Sequence, residues 1–318
     1  MTDLEYAISI IKKEADAVYQ LLNHVDSNFL SAVDLCRNCN GNVIISGVGK
    51  SGFIAQKMAA TLASLGVSSW WLHPNDAEHG DIGRITTRDV CILFSYSGNT
   101  KEITALAERL KTRNAKIIAI TGNLTSILAK QADIVLNIGE FEEAGLIKLI
   151  PTSSTTASLV LSDALALAIV GTSLKPDDFG KNHPGGTIGL RLSPVKRIMR
   201  SGKDCVIITA NTPLLEAILA ITSAGSGAAV VVDLSGSIVG IMTDGDLRRW
   251  VATMGNEHIV NYTVAHCMCQ NPTTIDSNSL VEDALNLFKQ NKIGDLPVVE
   301  NGKPVGMISL KDLTRLAL

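Results

Sequence analysis

The chain has 318 residues, of which 46% are hydrophobic and only 4% are aromatic, so it is long enough for about two domains with aliphatic cores. Its formal net charge is −3 at pH 7 and no basic stripe is present, which argues against nucleic acid as the main partner. The N-terminal segment reads as an amphipathic helix, and the most apolar stretch, residues 157–171, contains Asp163 and is predicted to be too short to span a bilayer. We therefore expect a cytoplasmic protein that does not enter a membrane.

Strand-like and helix-like segments alternate between residues 42 and 138. Five short runs rich in Val and Ile are predicted as strands, and their continuous apolar character indicates burial on both faces: NVIIS, SWWLH, DVCILF, KIIAIT and DIVLNI. Helical segments follow at residues 51–66, 100–115 and 125–132. The pattern predicts an α/β domain with a parallel sheet flanked by helices, in which ligands bind beyond the carboxyl ends of the strands.

The first predicted strand ends in the glycine-rich loop GVGKSG. It is not a nucleotide-binding P-loop, because that motif requires Gly five residues before Gly49 and the chain has Ile44 there. The loop could still hold a single phosphate with backbone N–H groups and the charge of Lys50. A tight turn with a solvated lysine is the alternative, and this stretch alone does not decide between the two.

The loop SYSGNT, residues 95–100, follows the third predicted strand. Its hydroxyl and amide side chains precede a helix, where they could bind one phosphate from several sides. Helix capping is the alternative, but a cap uses one hydroxyl and this loop has three, so we favour phosphate binding. The segment PTSSTT, from Pro151, is a second hydroxyl-rich start, predicted to cap a long helix.

Several side chains are candidates for proton transfer. The segment HPNDAEHGDIGR contains two histidines and three acids, and NHPGG contains His183. Glu102 lies at a predicted helix start, where an acid also simply complements the helix dipole. His183 could equally be a surface histidine, and the group Glu140, Glu142 and Glu143 could be a solvated acidic loop.

An internal repeat begins near Val195. Gly240 and Gly306 are 66 residues apart, as are Asp246 and Asp312, and each half reads as strand, helix, strand, turn, strand and helix. Neither half buries much alone, so the two are predicted to pack together. Pro194 and the basic segment after it mark the predicted junction.

The motifs GVGKSG, AEHGDIG, SYSGNT, PTSSTT and HPGGTIGLRL, joined to GIMTDGDLRR and GMISLKDLTR, resemble the arabinose-5-phosphate isomerases. That family couples a sugar isomerase (SIS) domain to a pair of CBS repeats. The resemblance implies SIS residues 1–193 and CBS repeats at 194–257 and 258–318. It also implies interconversion of ribulose 5-phosphate and arabinose 5-phosphate, a precursor of Kdo in lipopolysaccharide or capsule, in a homotetramer that requires no cofactor.

Residue by residue, the resemblance places the catalytic groups at Lys50, Glu102, Glu143 and His183. We assign the C1/C2 proton to Glu143, ring opening or hydroxyl proton transfer to His183, the oxyanion to Lys50 and orientation or relay to Glu102. His79 matches a position where an inhibitory divalent metal binds in the family. The predicted substrate-binding set is Ser46, Gly49, Ser51, Asn75, Asp76, His79, Asp81, Ser95, Ser97, Gly98, Asn99, Thr100, Thr152, Ser153, Ser154 and Thr155.

The CBS pair is predicted to be regulatory. Thr243 with Asp246 and Ser309 with Asp312 match the positions that hold the phosphate and ribose of a nucleotide in ligand-binding CBS modules. A capping-box-like helix start is the alternative. The predicted ligand is a nucleotide or nucleotide-sugar.

Two other functions remain open at this stage. The chain could isomerise another ketose phosphate, since Asn99 stands where the family usually has Glu. It could also be a non-catalytic phosphosugar sensor, although such regulators usually carry a DNA-binding helix-turn-helix and none is visible here.

Overall fold

A computed structural model describes residues 1–183, 186–254 and 259–315. The chain divides into two compact units, Met1–Lys175 and Pro176–Leu318. His183 therefore belongs to the second unit. The predicted domain boundaries at 193 and 257 stay predictions.

The first unit is an α/β layer structure. Its strands are β1 (Val43–Gly47), β2 (Ser69–Trp71), β3 (Val90–Phe94), β4 (Lys116–Thr121) and β5 (Ile134–Asn137). Its helices are α1 (Asp3–Gln20), α2 (Ser27–Arg37), α3 (Gly49–Ser64), α4 (Pro74–Glu78), α5 (Lys101–Thr112), α6 (Ile127–Gln131) and α7 (Ser153–Val170). The strands pair in parallel in the order β2-β1-β3-β4-β5, which confirms the predicted sheet.

The central strands are buried because helices cover both faces of the sheet. Every residue of β1 and β3 is buried, whereas β2 and β5, at the two edges, are mostly half-buried. This burial is the physical basis of their evenly apolar sequences.

Helix α7 is long and apolar enough, by length and composition, to cross a membrane, with 18 residues and a mean hydropathy of 1.5. The expectation that this stretch is too short is therefore wrong. Half of the helix is buried inside the protein, where it packs against α1, α2 and α3. That packing is typical of a central core helix.

The second unit contains the predicted repeat. Its strands are β6 (Val206–Thr209), β7 (Ala228–Val232), β8 (Ile238–Thr243), β9 (Cys269–Gln270), β10 (Ile275–Asp276), β11 (Asp295–Glu300) and β12 (Lys303–Ser309). Its helices are α8 (Pro176–Lys181), α9 (Thr187–Arg191), α10 (Leu214–Ala224), α11 (Asp244–Met254), α12 (Val281–Asn291) and α13 (Leu310–Arg315). The sheets run β6-β7-β8-β9 and β10-β11-β12, so the order strand, helix, strand, turn, strand, helix occurs twice, as predicted.

Candidate active site

The loops that follow β1, β3, β4 and β5 all leave the same edge of the sheet, because these strands are parallel neighbours. They include the glycine-rich loop, the loop 95–100 and the segment that leads to Glu143. The topology therefore brings these three predicted site segments to one edge of the first unit.

The start of α3 is open toward an anion. Gly49 has φ +58°, in the left-handed region that favours glycine, and Val48 makes no side-chain capping bond. The first N–H groups of the helix thus keep their partial positive charge. Lys50 is exposed, with its Nζ 5.9 Å from the centre of the Phe53 ring.

Two serines of the predicted set flank this start. Ser46 is 1% exposed, and its hydroxyl donates to the backbone carbonyl of Leu72, 2.7 Å away. It therefore ties β1 to the end of β2, and in this geometry its proton is not available to a substrate. Ser51 is half-buried in the first turn of α3.

The loop 95–100 leads into α5, a second helix whose start has no side-chain cap. Thr100 is the N-cap residue of α5, but its hydroxyl lies 2.9 Å from the Ser95 hydroxyl and does not cap the helix. The N–H groups of Lys101 and Glu102 therefore lack intrahelical acceptors. Because Ser97 is exposed beside them, this turn can surround one phosphate, and phosphate binding here stays a prediction.

Asn99 and Gly98 join this loop to α6. The Asn99 Oδ1 accepts from the Ile127 N–H at 3.1 Å, and the Gly98 carbonyl accepts from the Leu128 N–H at 3.0 Å. Gly98 has φ +63°, and a Cβ there would lie 2.0 Å from the Ser126 Oγ. The loop is thus fixed against α6 at a place where only glycine fits.

Tyr96 connects the loop 95–100 to the segment before Glu143, and the sequence analysis missed it. Its hydroxyl donates to the Phe141 carbonyl at 2.9 Å and accepts from the Phe141 N–H at 2.6 Å. Burial raises the pKa of Tyr96, although the hydrogen bond to Phe141 opposes this shift. The phenol therefore stays protonated and links two loops of the candidate site.

We expect Tyr96→Phe to destabilise the first unit by about 1 kcal/mol, because the Phe141 N–H and carbonyl lose their shared partner. The kcat should also fall several-fold, because Phe141 and the segment that leads to Glu143 lose their contact with residue 96. Tyr19→Phe is the control, since Tyr19 is 74% exposed. Calorimetry and steady-state kinetics measure both effects, and a Tyr96→Phe variant that matches Tyr19→Phe in both would contradict this role.

Glu143 caps α7. Its Oε2 accepts from the Thr152 N–H at 2.8 Å, the Thr152 hydroxyl at 3.1 Å and the Ser154 N–H at 3.2 Å, and its Oε1 accepts from the Ser154 hydroxyl. The prediction that the Ser/Thr cluster caps this helix is wrong in detail, because Thr152 makes no side-chain cap and the carboxylate does so instead. A carboxylate offers about four lone-pair positions, so Oε1 keeps one for a substrate proton.

The rest of the cluster is only partly free to bind a ligand. The Thr155 hydroxyl donates to the Thr152 carbonyl at 2.9 Å. The Ser153 hydroxyl is buried and has no hydrogen-bond partner among the described residues. Contacts from Thr152, Ser154 or Thr155 to a phosphate stay a prediction that requires their hydroxyls to change partner.

The predicted polar segment around α4 lies beyond β2. The N–H of Asn75 donates to His73 Nδ1 at 3.2 Å, and Asp76 lies in the first turn. His79 is the C-cap residue after α4 and Asp81 begins a short 3₁₀ turn; both are exposed. Within the described ranges, no group of three His, Cys, Asp or Glu side chains could hold a metal ion, so the metal at His79 stays a prediction.

Glu102 and His183 are the other two predicted catalytic residues. Glu102 is exposed in the first turn of α5. His183, in the second unit, packs on the Phe179 ring with centroids 4.2 Å apart, and its Nδ1 lies 2.8 Å from the Phe179 carbonyl oxygen. A carbonyl only accepts, so Nδ1 carries the proton and Nε2 of a neutral ring is the basic atom.

The two predicted CBS ligand pairs differ. Thr243 and Asp246 form a capping box: the Asp246 N–H donates to the Thr243 hydroxyl at 3.2 Å, and the Thr243 N–H donates to Asp246 Oδ2 at 3.0 Å. The Asp312 N–H likewise donates to Ser309 at 3.2 Å, but its carboxylate pairs with Arg200. The capping alternative is thus realised in full only in the first repeat.

Asp295, an acid on β11, lies in an environment that favours its protonated form. Burial raises its pKa to about 6; Lys311 opposes the rise, while Asp312 and Asp244 add to it. It lines two cavities, of about 510 and 420 Å³. The folded state therefore holds this proton more tightly than the unfolded chain does.

Because the pKa of Asp295 is raised on folding, its contribution to the free energy of unfolding is lost as pH rises from about 4 to above 6. The loss is at most about 3 kcal/mol, for a shift of about two units. We expect Asp295→Asn to gain stability relative to the wild type across this window. Glu300→Gln, an exposed acid on the same strand, is the control. Calorimetry at pH 4.5 and 7.5 that shows the same difference for both variants would contradict this assignment.

Comparison with known proteins agrees with this layout. The SIS domain model matches residues 37–168, and the CBS domain model matches residues 195–253 and 264–318. The arabinose 5-phosphate isomerase KdsD of Pseudomonas aeruginosa is 40% identical over 305 residues, 95% of this chain and 93% of that protein. This chain belongs to the arabinose 5-phosphate isomerase family. The predicted resemblance is confirmed.

Other members and neighbours of the arabinose 5-phosphate isomerase family match similarly. The arabinose 5-phosphate isomerase GutQ of Salmonella typhimurium is 38% identical over 302 residues, 94% of this chain and 93% of that protein. Among solved structures, the E. coli CFT073 protein c3406, in complex with arabinose 5-phosphate, is 37% identical with a TM-score of 0.56. It covers 58% of this chain and all of its own length.

Proposed function

We propose that this protein interconverts ribulose 5-phosphate and arabinose 5-phosphate. The observation that carries the proposal is the uncapped start of α5 beside Ser97, tied through Tyr96 to the segment that leads to Glu143. Membership of the arabinose 5-phosphate isomerase family supports the substrate. The similarity to a solved protein in complex with arabinose 5-phosphate supports it further.

The phosphate is proposed to bind at residues 97–102. The N–H groups of Lys101 and Glu102 lack intrahelical acceptors, and the hydroxyls of Ser97 and Thr100 flank them. The dipole of α5, a helix of 12 residues, adds favourable electrostatics for a dianion. The carbonyl end of a five-carbon sugar can then extend along the sheet edge.

The reaction moves a proton between C1 and C2 through an enediol. We assign the proton transfer to Glu143, whose Oε1 keeps one acceptor position, and stabilisation of the oxyanion to Lys50. Glu102 orients the substrate or relays a proton. Nε2 of His183 serves ring opening or hydroxyl proton transfer. Only protons move, so the proposal requires no metal or cofactor.

The pathway, the compartment, the oligomeric state and the regulatory ligand are also proposed from membership of this family. The product would feed Kdo synthesis for lipopolysaccharide or capsule, in the cytoplasm, where sugar phosphates are made. A homotetramer is proposed from family membership, and the outer face of α1, where Leu4, Ile8, Ile11 and Tyr19 are exposed at helical spacing, offers an apolar surface for contact between copies. A nucleotide or nucleotide-sugar is the proposed regulatory ligand of the CBS pair.

An NMR time course of the purified protein with ribulose 5-phosphate tests the proposal. We expect arabinose 5-phosphate to accumulate to equilibrium, with the same rate after treatment with EDTA. Faster turnover of a six- or seven-carbon ketose phosphate would show that this longer sugar phosphate, and not ribulose 5-phosphate, is the preferred substrate. Binding without turnover of any of them would make the protein a sensor.

A further inference from the structure

The segments that precede the two repeats align with each other. Residues 195–200 read VKRIMR and residues 264–269 read VAHCMC, so Arg200 in one corresponds to Cys269 in the other. Each segment pairs with the opposite repeat: Arg200 bridges to Met307 on β12, and Cys269 pairs with Ile241 on β8. Each of these partners lies two residues before the Ser or Thr of the predicted ligand pair. Arg200 and Cys269 therefore occupy equivalent places.

Arg200 fills its place with a guanidinium. Nε and Nη2 donate to the two Asp312 carboxylate oxygens at 2.7 Å each, and Nη1 donates to the Gly225 carbonyl at 2.8 Å. The two side chains are only 19% and 17% exposed. The guanidinium holds the pKa of Asp312 below its ordinary value. A bidentate, mostly buried pair of this kind is strongly held, so a ligand hydroxyl that competes for either carboxylate oxygen must displace a charged donor.

Cys269, at the equivalent place in the other segment, makes only a weak contact with Asp246. Its Sγ is 3.3 Å from Asp246 Oδ1, and a thiol is a weak donor. The other partner of that oxygen, Arg249 at 2.5 Å, is 73% exposed although the Asp246 side chain is only 6% exposed, so the guanidinium can leave the carboxylate for solvent. A ligand hydroxyl can therefore displace both partners from this oxygen.

A cavity of about 420 Å³ lies beside Asp246. Arg249 and Lys292 offer positive charge for a phosphate, Asp246 accepts from hydroxyls, and Ile241 and Ile293 offer an apolar face for a flat ring. This set of groups suits a phosphorylated nucleoside. We call this cavity the first-repeat cleft, and the equivalent place at Arg200 and Asp312 the second-repeat cleft.

We propose that the chain binds one phosphorylated nucleoside, in the first-repeat cleft, because its own Arg200 occupies the second-repeat cleft. The inference rests on the regulatory ligand proposed above and deepens it: the two repeats are not equivalent sites. Arg200, on the segment that precedes the first repeat, fixes the second as a closed structural element. Only the first remains to respond to a ligand.

Exchange of the two equivalent residues tests the proposal. Equilibrium dialysis of the full chain with AMP, ATP and CMP should give one bound nucleotide per chain. Arg200→Cys makes the second-repeat cleft resemble the first and should give two. Cys269→Arg makes the first-repeat cleft resemble the second, and affinity should fall at least tenfold. Two bound nucleotides in the wild type, none with any of these probes, or unchanged binding in Cys269→Arg would each overturn the proposal.

The second variant and a separate assay keep the result interpretable. Arg200→Cys leaves Asp312 unpaired, so its unfolding temperature is measured first, and Cys269→Arg decides the question if Arg200→Cys fails to fold. In a folded Arg200→Cys variant, a stoichiometry of one would contradict the role of Arg200. Isomerase activity is measured on the same samples without nucleotide. If the protein binds one nucleotide but shows no isomerase activity, the proposed reaction is wrong and the inference of a single nucleotide site still holds.

Discussion

Glu143→Gln is expected to lower kcat for ribulose 5-phosphate by about 10²–10⁴-fold, the usual contribution of a general base. The amide cannot take a proton from C1 or C2. It also presents N–H groups to Thr152 and Ser154, which already donate hydrogen bonds to this position. Steady-state kinetics at saturating substrate measure the effect.

Glu142→Gln is the matched control for Glu143→Gln. Glu142 is exposed and pairs with Lys13 and Lys148 on the surface, so kcat should stay within about twofold of the wild type. Calorimetry separates a lost base from a lost cap of α7. A Glu143→Gln protein with both wild-type kcat and a native unfolding temperature would remove Glu143 from the catalytic set.

Gly98→Ala is expected to cost about 2–4 kcal/mol of stability and to raise KM for the sugar phosphate at least tenfold. The φ of +63° is unfavourable for alanine, and the new Cβ would lie 2.0 Å from the Ser126 Oγ and 2.5 Å from its Cβ. Either the loop 95–100 or α6 must move, and the phosphate turn moves with it.

The control for Gly98→Ala is Gly83→Ala, where a Cβ would meet no atom within 4 Å. It should change stability by less than about 1 kcal/mol. Chemical denaturation and KM measurements on both variants provide the comparison. Equal KM values in Gly98→Ala and the wild type would show that the loop 95–100 does not bind the phosphate.

The sheet and the repeat could be predicted because local pattern determines them. Runs such as VCILF are buried on both faces and therefore lack polar positions, and the 66-residue spacing of Asp246 and Asp312 directly reveals the repeat. The loop 95–100 was selected as a phosphate site because its three hydroxyls exceed what one helix cap needs, and that role stays a prediction. These features can be recognised from short motifs, without knowledge of which distant segments touch.

The contacts that organise the sites were less predictable because they join distant segments. Tyr96 meets Phe141 across 45 residues and Arg200 meets Asp312 across 112, so no spacing in the sequence indicates either pair. Glu143 was singled out as a base, but its capping of α7 depends on the path of the chain between residues 143 and 152. Asp312 was predicted as a ligand residue because Ser309 and Asp312 match positions in ligand-binding CBS modules, and the segment that precedes the first repeat gives it an internal partner, Arg200.

A crystal structure of the full chain with arabinose 5-phosphate tests the central claim most directly. The account predicts the phosphate within hydrogen-bond reach of the Lys101 and Glu102 N–H groups and the Ser97 hydroxyl, with C1 or C2 about 3 Å from a Glu143 carboxylate oxygen. A phosphate bound away from the start of α5, or a sugar whose C1 and C2 lie beyond reach of Glu143, would contradict it.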